Sequence, residues 1–178
     1  MSVDRRRHQR WIVVARHAKS SWDDPTVADH DRTLAPRGRK AVHRLRHHVA
    51  GLAPRPDLVL CSSSRRTRET LEGIRPALQG ETDVEIDAQL YGASAEHLLA
   101  RLQCIDDKVT CVLLIGHNPA VADLIDLLVT RENRAGSQPA IDRFPTAAVA
   151  VLSFAGRWRA LRPHIALLDS FWTPRTPS

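Results

Sequence analysis

Three short apolar runs, separated by segments of helical periodicity, set the pattern of hydrophobic and polar positions in this chain. The runs span residues 11–15, 57–61 and 109–115, and they are rich in the aliphatic and β-branched residues of buried strands. Between them, apolar residues recur at the spacing of one face of an amphipathic helix. Strands that alternate with helices predict an α/β domain with a largely parallel sheet.

Turn and capping residues mark the ends of the predicted helices. Pro36 is expected in the first turn of the first helix, and Pro76 is expected to fray or kink the second. Ser94 is the predicted N-cap of the third helix. For the fourth helix, Asn118 is the predicted N-cap and Pro119 the first helical residue.

The remaining strands complete the predicted sheet. Residues 84–86 alternate as a short strand, and residues 146–154 predict a longer one. Gly156 is expected to form a turn, with residues 158–161 as the antiparallel hairpin partner. The expected architecture is a three-layer α/β sandwich with a mostly parallel central sheet, helices on both faces and an antiparallel edge.

Length and composition predict one domain without a membrane span. The chain has 178 residues, which we divide into a basic flexible arm at 1–10, a single domain at 11–172 and a loose tail at 173–178. It contains no apolar run of about 18 residues and no apolar segment of the signal-peptide type. Three cysteines without CxxC spacing are typical of a reducing compartment, so we expect a cytoplasmic protein with no membrane partner.

The positive charge is concentrated at the amino terminus. Residues 1–10 contain four arginines and one aspartate, so they carry half of the net charge of +6. Such an arm is able to contact nucleic acid. No aromatic residues interleave with it as a base-stacking surface requires, so a nucleic-acid partner is not expected.

Cationic and titratable side chains follow each of the three apolar runs. Arg16 and His17 follow the first run, a serine and arginine cluster ending at Arg66 follows the second, and His117 follows the third. Because the carboxyl ends of parallel strands meet at one edge of a sheet, these groups are expected to converge. Guanidinium groups donate bidentately to phosphate oxygens, so the cluster suits a phosphoryl group.

Phosphoryl transfer assigns a different task to each of these groups. Neutral His17 is a competent nucleophile near pH 7 and would carry the phosphoryl group as a phosphohistidine that water then hydrolyses. Arg16 and Arg66 would neutralise the phosphoryl oxygens, and a protonated His117 would donate to them. A helix starting at Asn118 would add backbone N–H groups.

Three sequence motifs in this order are similar to those of a known family. Arg16-His17-Ala18 resembles an Arg-His-Gly motif, residues 62–66 with Thr70 resemble a Ser-rich turn leading to Arg and Thr, and residues 116–119 resemble a Gly-His-Asn motif. Residues 31–34 with Gly38, and residues 144–148, are also similar to segments found in the small members of the same family. The chain thus resembles the histidine phosphatase superfamily over roughly residues 11–170, and within it the SixA-like phosphohistidine phosphatases.

The resemblance implies roles for particular residues. His17 corresponds to the phosphorylated nucleophile and His117 to the second, non-nucleophilic histidine. Arg16 and Arg66 correspond to the phosphate clamp, and motif spacing favours Arg66 over the adjacent Arg65. Further contacts with the phosphoryl group or substrate are expected from Lys19, Arg32, Ser62 and Asn118.

The expected partner is a phosphorylated substrate, either a phosphohistidine protein or a small phosphate compound. No metal and no cofactor are expected, since guanidinium and imidazole groups form the clamp, so full activity is predicted in EDTA.

Two positions depart from the family pattern. Ala18 replaces the motif glycine, so the turn after His17 must be one that alanine adopts. Gln89 stands where larger members of the superfamily are expected to carry the carboxyl that protonates the leaving oxygen. Asp87, Glu96 and Asp23 are candidate replacements. Without an acid, phosphoramidates and acyl phosphates are favoured over sugar phosphates, because their leaving groups depart without one.

Other functions stay open at this point. A phosphatase for phosphomonoesters or nucleoside diphosphates would use the same groups, whereas a mutase would need a second phosphate-binding region. A non-catalytic phosphate or phosphohistidine-binding protein is disfavoured by the intact set of Arg16, His17, Arg66 and His117.

The pair His43 and His47 has zinc-ligand spacing, but a solvated basic helix face is favoured. A serine nucleophile and a P-loop lack their motifs.

Overall fold

The apolar runs form the centre of a six-stranded sheet in the computed structural model, which describes residues 9–78, 80, 82–130, 132 and 144–174. The strands are β1 Gln9–Arg16, β2 Leu58–Ser62, β3 Asp83–Asp87, β4 Cys111–Gly116, β5 Val149–Ala155 and β6 Leu167–Trp172. The helices are α1 Pro36–Ala50, α2 Arg65–Ile74, α3 Ala95–Gln103 and α4 Ala120–Leu128. Short 3-10 turns lie at Asp29–Asp31, Arg75–Ala77, Ala88–Leu90 and Trp158–Ala160.

The order of strands across the sheet is β3-β2-β4-β1-β5-β6. The first four strands are parallel, β5 pairs antiparallel with β1, and β6 pairs antiparallel with β5. The predicted mostly parallel sheet with an antiparallel edge is therefore confirmed. Arg16 is in register with Gly116, and Cys61 with Ile115, so β1, β2 and β4 end at one level.

Helices cover both faces of the sheet, which explains why the strands are continuous apolar runs without polar alternation. On one face, Val13 lies in a buried cluster with Leu45 of α1 and Leu71 of α2. On the other face, its neighbour Ile12 lies in a cluster with Leu124 of α4 and with residues of α3. Successive residues of a strand thus pack against the helices on opposite faces of the sheet, as the three-layer prediction requires.

Most predicted helix ends agree with the structure. α1 begins at Pro36, and Pro76 lies in the 3-10 turn that follows α2. The Ser94 side chain caps α3 by accepting a hydrogen bond from the His97 amide at 3.3 Å. Local side-chain chemistry is sufficient to set these boundaries.

The prediction for the start of α4 is wrong by one residue. Pro119 is the N-cap and the helix begins at Ala120. The Asn118 side chain makes no capping bond and instead donates from Nδ2 to the Phe144 carbonyl, 3.1 Å away. The acceptor is a main-chain carbonyl that is distant in the sequence, so the residues around Asn118 do not reveal that its side chain bonds elsewhere.

The prediction of a hairpin strand at 158–161 is also wrong, because Trp158–Ala160 is a 3-10 turn and β6 pairs with β5 instead. Trp158 is 0% exposed, and its indole Nε1 donates to the Val109 carbonyl at 2.8 Å. A large aromatic residue that fills the core anchors a turn as well as a strand. The predicted strand at 146–154 begins only at Val149, since Ala147 has a φ of 61° in the preceding turn.

The predicted terminal segments lie mainly outside the described residues. Gln9 and Arg10, placed in the arm from sequence, are the first residues of β1. Residues 1–8 of the arm and 175–178 of the tail are not among those described. No described helix combines the length and the apolar character that crossing a membrane requires.

Gly38, in the first turn of α1, packs against the chain that follows His17. A Cβ at this position would lie 2.2 Å from the Lys19 carbonyl oxygen, so Gly38→Ala must displace that main chain. We expect a loss of about 1–3 kcal/mol in the free energy of unfolding, measured by urea denaturation.

Gly51→Ala, at the other end of α1, is the matched control, because its Cβ would lie 3.5 Å from the nearest atom, the His48 carbonyl oxygen. Its effect is expected to be neutral or stabilising by up to about 1 kcal/mol. Equal stability of the two variants would contradict the contact at Gly38.

Candidate active site

The two histidines and one arginine predicted from the strand ends lie together. His17 follows β1, His117 follows β4, and Arg66 lies in the first turn of α2, just beyond β2. The ring centroids of His17 and His117 are 5.1 Å apart, with the ring planes at 52°. Arg66 Nη2 lies 3.3 Å from His117 Nδ1. The aligned ends of three parallel strands therefore produce the predicted cluster.

The orientation of the His17 ring is fixed by its own backbone neighbourhood. Its amide donates to the Gly116 carbonyl at 3.1 Å, and its side chain is buried, with the residue 8% exposed. Nδ1 lies 2.7 Å from the Ala18 carbonyl oxygen. A carbonyl only accepts, so Nδ1 carries the proton, and in the neutral ring Nε2 keeps its lone pair.

The turn after His17 accommodates alanine in place of glycine. Ala18 is fully buried, and the residues with positive φ in the described part of the chain do not include it. Its amide donates to Thr70 Oγ1 at 3.1 Å, which ties the turn to α2. From the other side, the Ala147 amide donates to the carbonyls of Arg16 and His17. The turn after His17 is therefore one that alanine adopts, as the sequence requires.

His117 is held through both ring nitrogens. Arg66 Nη2 donates toward Nδ1, so the other nitrogen, Nε2, carries the proton in the neutral ring. Nε2 then donates to Ser62 Oγ, 2.8 Å away. Ser62 is completely buried at the end of β2, so in this structure its hydroxyl positions the imidazole.

Both imidazoles are strongly biased toward the neutral form. Burial lowers the pKa of His17 to about 4, and the nearby guanidinium groups of Arg66 and Arg16 add to this effect. Burial lowers the pKa of His117 to about 3, with further contributions from His17 and Arg66. At neutral pH the site therefore holds two uncharged imidazoles next to cationic side chains.

Arg66, and not Arg65, belongs to the site. The Arg66 side chain is 9% exposed and the Arg65 side chain 53%. Arg66 donates from Nη1 to the Asp29 carbonyl and from Nη2 to Asp29 Oδ2, the latter at 2.9 Å. Arg65 instead pairs with Glu69 at 3.1 Å on the exposed side of α2. The spacing argument from the motif thus selects the arginine that the helix turns inward.

Asp29 and Tyr91 are site residues that the sequence did not identify. The Tyr91 hydroxyl donates to Asp29 Oδ2 at 2.8 Å, and its ring lies edge-on to His117 with centroids 5.6 Å apart. The Tyr91 hydrogen bond, followed by the Arg66 interactions, lowers the pKa of Asp29. The unusual length of the polar segment 19–35 was a signal for Asp29. Nothing local distinguished Tyr91.

Arg16 lies half-buried at the end of β1, next to Asn118. Arg16 Nη1 and Asn118 Nδ2 both donate to the Phe144 carbonyl, at 3.0 and 3.1 Å. Within the described residues, buried Arg16 Nε and Asn118 Oδ1 have no hydrogen-bond partner. Burial lowers the pKa of Arg16. These two side chains form a second polar wall beside His17.

Arg32 and Lys19 occupy different positions with respect to the site. The Arg32 side chain is 13% exposed, with Nε 4.0 Å from Asp29 Oδ1 and Cζ 3.4 Å from the ring centre of Trp22. Its buried Nη1 has no partner in the part of the chain that is described. Arg32 is therefore linked to Arg66 through Asp29. For Lys19 the contact that defines its position is main-chain, since its carbonyl accepts from the Ala35 amide at 2.9 Å.

Gln89 and Asp87 are engaged in contacts outside the histidine cluster. Gln89 is exposed, and its main-chain amide donates to Asp87 Oδ1 at 2.8 Å. The other Asp87 oxygen pairs with Arg101 Nε at 3.2 Å. Asp23, a further candidate, is exposed and accepts from the Ser21 hydroxyl. These carboxylates have structural partners outside the histidine cluster.

Glu96 alone among the three candidate acids lines a cavity that His117 also lines, with a volume of about 600 Å³. A hydrogen bond from Ser94 lowers the pKa of this carboxyl. Like Asp29, Glu96 therefore favours the ionised form.

Within the described residues, no group of three or more histidine, cysteine, aspartate or glutamate side chains is placed to hold a metal ion. His43 and His47 lie edge-on on α1 with ring centroids 4.9 Å apart.

Comparison with known proteins assigns the family. Residues 12–94 match the family described as histidine phosphatase superfamily (branch 1). The uncharacterized protein Rv1276c of Mycobacterium tuberculosis (strain ATCC 25618 / H37Rv) is 36% identical over 165 residues, which cover 90% of this chain and 99% of that protein. The chain belongs to the histidine phosphatase superfamily, as its motifs predicted.

Solved structures place it near one branch of that superfamily. The proposed phosphohistidine phosphatase SixA of Nakamurella multipartitia has a TM-score of 0.81 at 28% identity, over 94% of this chain and 98% of the other. The protein histidine phosphatase SixA complexed with tungstate shares the fold, with a TM-score of 0.75 at 22% identity over 92% and 97% of the two chains. Both of these structural neighbours thus carry the SixA name.

The lowered pKa values predict how the site titrates. In the unfolded chain both imidazoles are protonated below their ordinary pKa of 6.5, whereas in the folded protein they stay neutral until about pH 4 and 3. The unfolded state therefore binds more protons, and the free energy of unfolding falls as pH drops from 6.5 toward 4. Imidazole NMR shifts are expected to show neither ring titrating near pH 6.5.

A His17→Gln variant provides the internal control for this titration. Because His17 contributes to the low pKa of His117, its replacement is expected to raise the His117 midpoint. Ordinary titration of both rings near pH 6.5 in the wild type would contradict their burial.

Proposed function

We propose that this protein is a phosphatase that forms a phosphohistidine intermediate on His17, and that its substrate is a protein phosphohistidine, as for SixA. It acts in the cytoplasm without a metal or cofactor. His17 is the nucleophile, and Arg16 and Arg66 clamp the phosphoryl group together with His117. Arg32 and Asn118 provide further donors, Ser62 supports His117, and Lys19 is assigned to substrate binding by proximity.

The state of His17 is the observation that carries this proposal. Its Nδ1 proton is committed to the Ala18 carbonyl, and its pKa is lowered to about 4, so Nε2 has an available lone pair at physiological pH. In the first step Nε2 forms a bond to phosphorus, and the bond from phosphorus to the leaving nitrogen breaks. The Ala18 carbonyl then stabilises the positive charge that develops on the phosphorylated ring.

The clamp must exchange Asp29 for the phosphoryl oxygens. In the structure, Asp29 accepts two hydrogen bonds from Arg66. A phosphoryl dianion offers more oxygens to the same guanidinium, and it also favours protonation of His117, because opposite charge raises the pKa of an imidazole. His117 then donates to the phosphoryl group as the sequence predicts. Water finally attacks phosphorus, the Nε2–P bond breaks, and inorganic phosphate leaves.

The choice of phosphohistidine rests on the state of the carboxyl groups that the structure describes near the histidine cluster. The pKa values of Asp29 and Glu96 are both lowered, so neither carboxyl holds a proton at neutral pH. An alkoxide leaving group needs such a proton, which is worth roughly 10²–10⁴ in rate. A leaving imidazole takes up its proton on its own second nitrogen, so it departs without an enzyme acid.

Replacing each of the adjacent arginines with lysine tests the clamp. Arg66→Lys keeps the charge but removes bidentate donation, so kcat/KM is expected to fall about 10- to 100-fold. Arg65→Lys is the matched control, because Arg65 is exposed and pairs with Glu69. It should retain most of the activity. A larger loss in Arg65→Lys than in Arg66→Lys, measured as initial rates over a range of substrate concentrations, would reverse the assignment.

The nucleophile and the substrate class are tested with one panel of substrates. Initial rates are measured in EDTA on a phosphohistidine protein, acetyl phosphate, para-nitrophenyl phosphate and a nucleoside diphosphate. His17→Asn is expected to abolish turnover of all four, because no other group supplies the attacking lone pair. His43→Asn, at an exposed position on α1, is the control and should remain active.

The pattern of rates separates the remaining functions. Preference for the phosphoramidate supports the proposed substrate, and acid-labile phosphate on wild-type protein but not on His17→Asn supports the intermediate. Equal or faster turnover of oxygen esters or the nucleoside diphosphate would indicate a broader phosphatase with an acid catalyst. Phosphate binding without turnover of any substrate would indicate a non-catalytic binding protein.

A further inference from the structure

A groove opens directly beside His117 and extends away from the phosphoryl clamp. It is the cavity of about 600 Å³ lined by residues of segment 90–98, which leads into α3, and by residues of 116–127, which lead into α4. Cavities of roughly 300–1,000 Å³ hold drug-sized ligands, so this volume exceeds what a phosphoryl group alone fills. A substrate bound at His17 and His117 therefore has room to place further atoms in the groove.

The charge of the groove is opposite to that of the clamp. Besides segments 90–98 and 116–127, the imidazole of His164 lines the groove. The lining includes the carboxylates of Glu96, Asp123 and Asp126, and no lysine or arginine among the described residues. The adjacent clamp contains Arg16 and Arg66, and the chain as a whole carries a net charge of +6. An anionic groove on a cationic protein, next to a phosphate site, selects for a substrate that is negative at one end and positive at the other.

Apolar side chains also line the groove. Leu90, Ala93, Leu98, Pro119 and Leu127 contribute to its walls. Lysine and arginine bury their aliphatic stems on such surfaces while the charged ends reach carboxylates. A nucleoside diphosphate, in contrast, would bring additional negative charge toward the carboxylates. The lining thus fits a basic peptide segment better than a small anionic metabolite.

We propose that this groove, hereafter the acidic groove, binds the polypeptide that carries the phosphohistidine and prefers basic residues next to it. The proposal rests on the proposed function, since it places the phosphorylated imidazole at His17. Glu96 and Asp123 are exposed at the surface and are the principal determinants of specificity, and Asp126 adds to the negative potential. The partner is a phosphohistidine protein with a basic flank around the modified residue.

The test uses three phosphohistidine peptides that differ only in their flanking residues, which are basic, neutral or acidic. With a few partly exposed ion pairs, the basic peptide is expected to exceed the acidic one about tenfold in kcat/KM. The ratio should shrink between about 0.05 and 0.5 M NaCl, because salt screens exposed charges. Phosphoimidazole, which lacks flanks, is measured in parallel.

The double variant Glu96→Gln, Asp123→Asn removes two carboxylates without changing side-chain shape. In this variant the ratio of rates on basic and acidic peptides is expected to fall toward one, and the ratio cancels any general loss of activity. Asp83→Asn combined with Glu72→Gln makes the same change of charge outside the groove and is the matched control. It should keep the wild-type ratio.

Each outcome distinguishes the groove from the reaction. Equal rates on the three peptides, or a preference for the acidic one, would overturn the acidic groove while the phosphatase assignment stands. No hydrolysis of phosphoimidazole or of any peptide would overturn the proposed function itself. If the double variant does not fold, a wild-type preference that is unchanged by salt would still refute the electrostatic origin.

Discussion

Arg66 is a cation that the fold buries, and its need for an anionic partner shapes the site. Burying a charge is costly unless it is paired and hydrogen-bonded. Asp29 provides the pairing through its carbonyl and its carboxylate, and the Tyr91 hydroxyl donates to the same carboxylate. In the proposed function, a phosphoryl group would satisfy Arg66 in the same manner. The long polar segment after β1 therefore supplies the anionic partner of Arg66.

The two histidines depend on the same balance. Burial and the neighbouring guanidinium groups both penalise the protonated form of His17, so its imidazole is neutral near pH 7. The Ala18 carbonyl orients the ring, and Thr70 and Ala147 hold that turn from opposite sides. The orientation of the His17 ring thus follows from hydrogen bonds of the main chain, including those to a neighbouring helix and loop, and it does not need the motif glycine that Ala18 replaces.

In the proposed function, a phosphoryl clamp and an acidic groove meet at His117 and have different tasks. The clamp would recognise a group common to all phosphorylated substrates, so by itself it would give little selectivity. The groove contacts whatever is attached to that group, and its carboxylates and apolar walls differ in character from the clamp. Under this proposal, specificity arises from the leaving group of the substrate, because a leaving imidazole needs no enzyme acid whereas an alkoxide does.

The sequence by itself determined the layers of the fold and the principal site residues. Short, β-branched apolar runs that alternate with amphipathic helices indicate strands covered on both faces, and groups that follow parallel strands meet at one edge. The convergence of His17, Arg66 and His117 was therefore predicted without coordinates. Tertiary structure alone decided which distant partners complete the site. Asp29 and Tyr91 are 62 positions apart in the sequence, and the Asn118 side chain donates to the Phe144 carbonyl instead of capping its helix. Trp158 likewise anchors a turn because Val109 offers its carbonyl in the core. Local periodicity reports which face of an element is buried, whereas hydrogen bonds between remote segments depend on the packing of the whole chain.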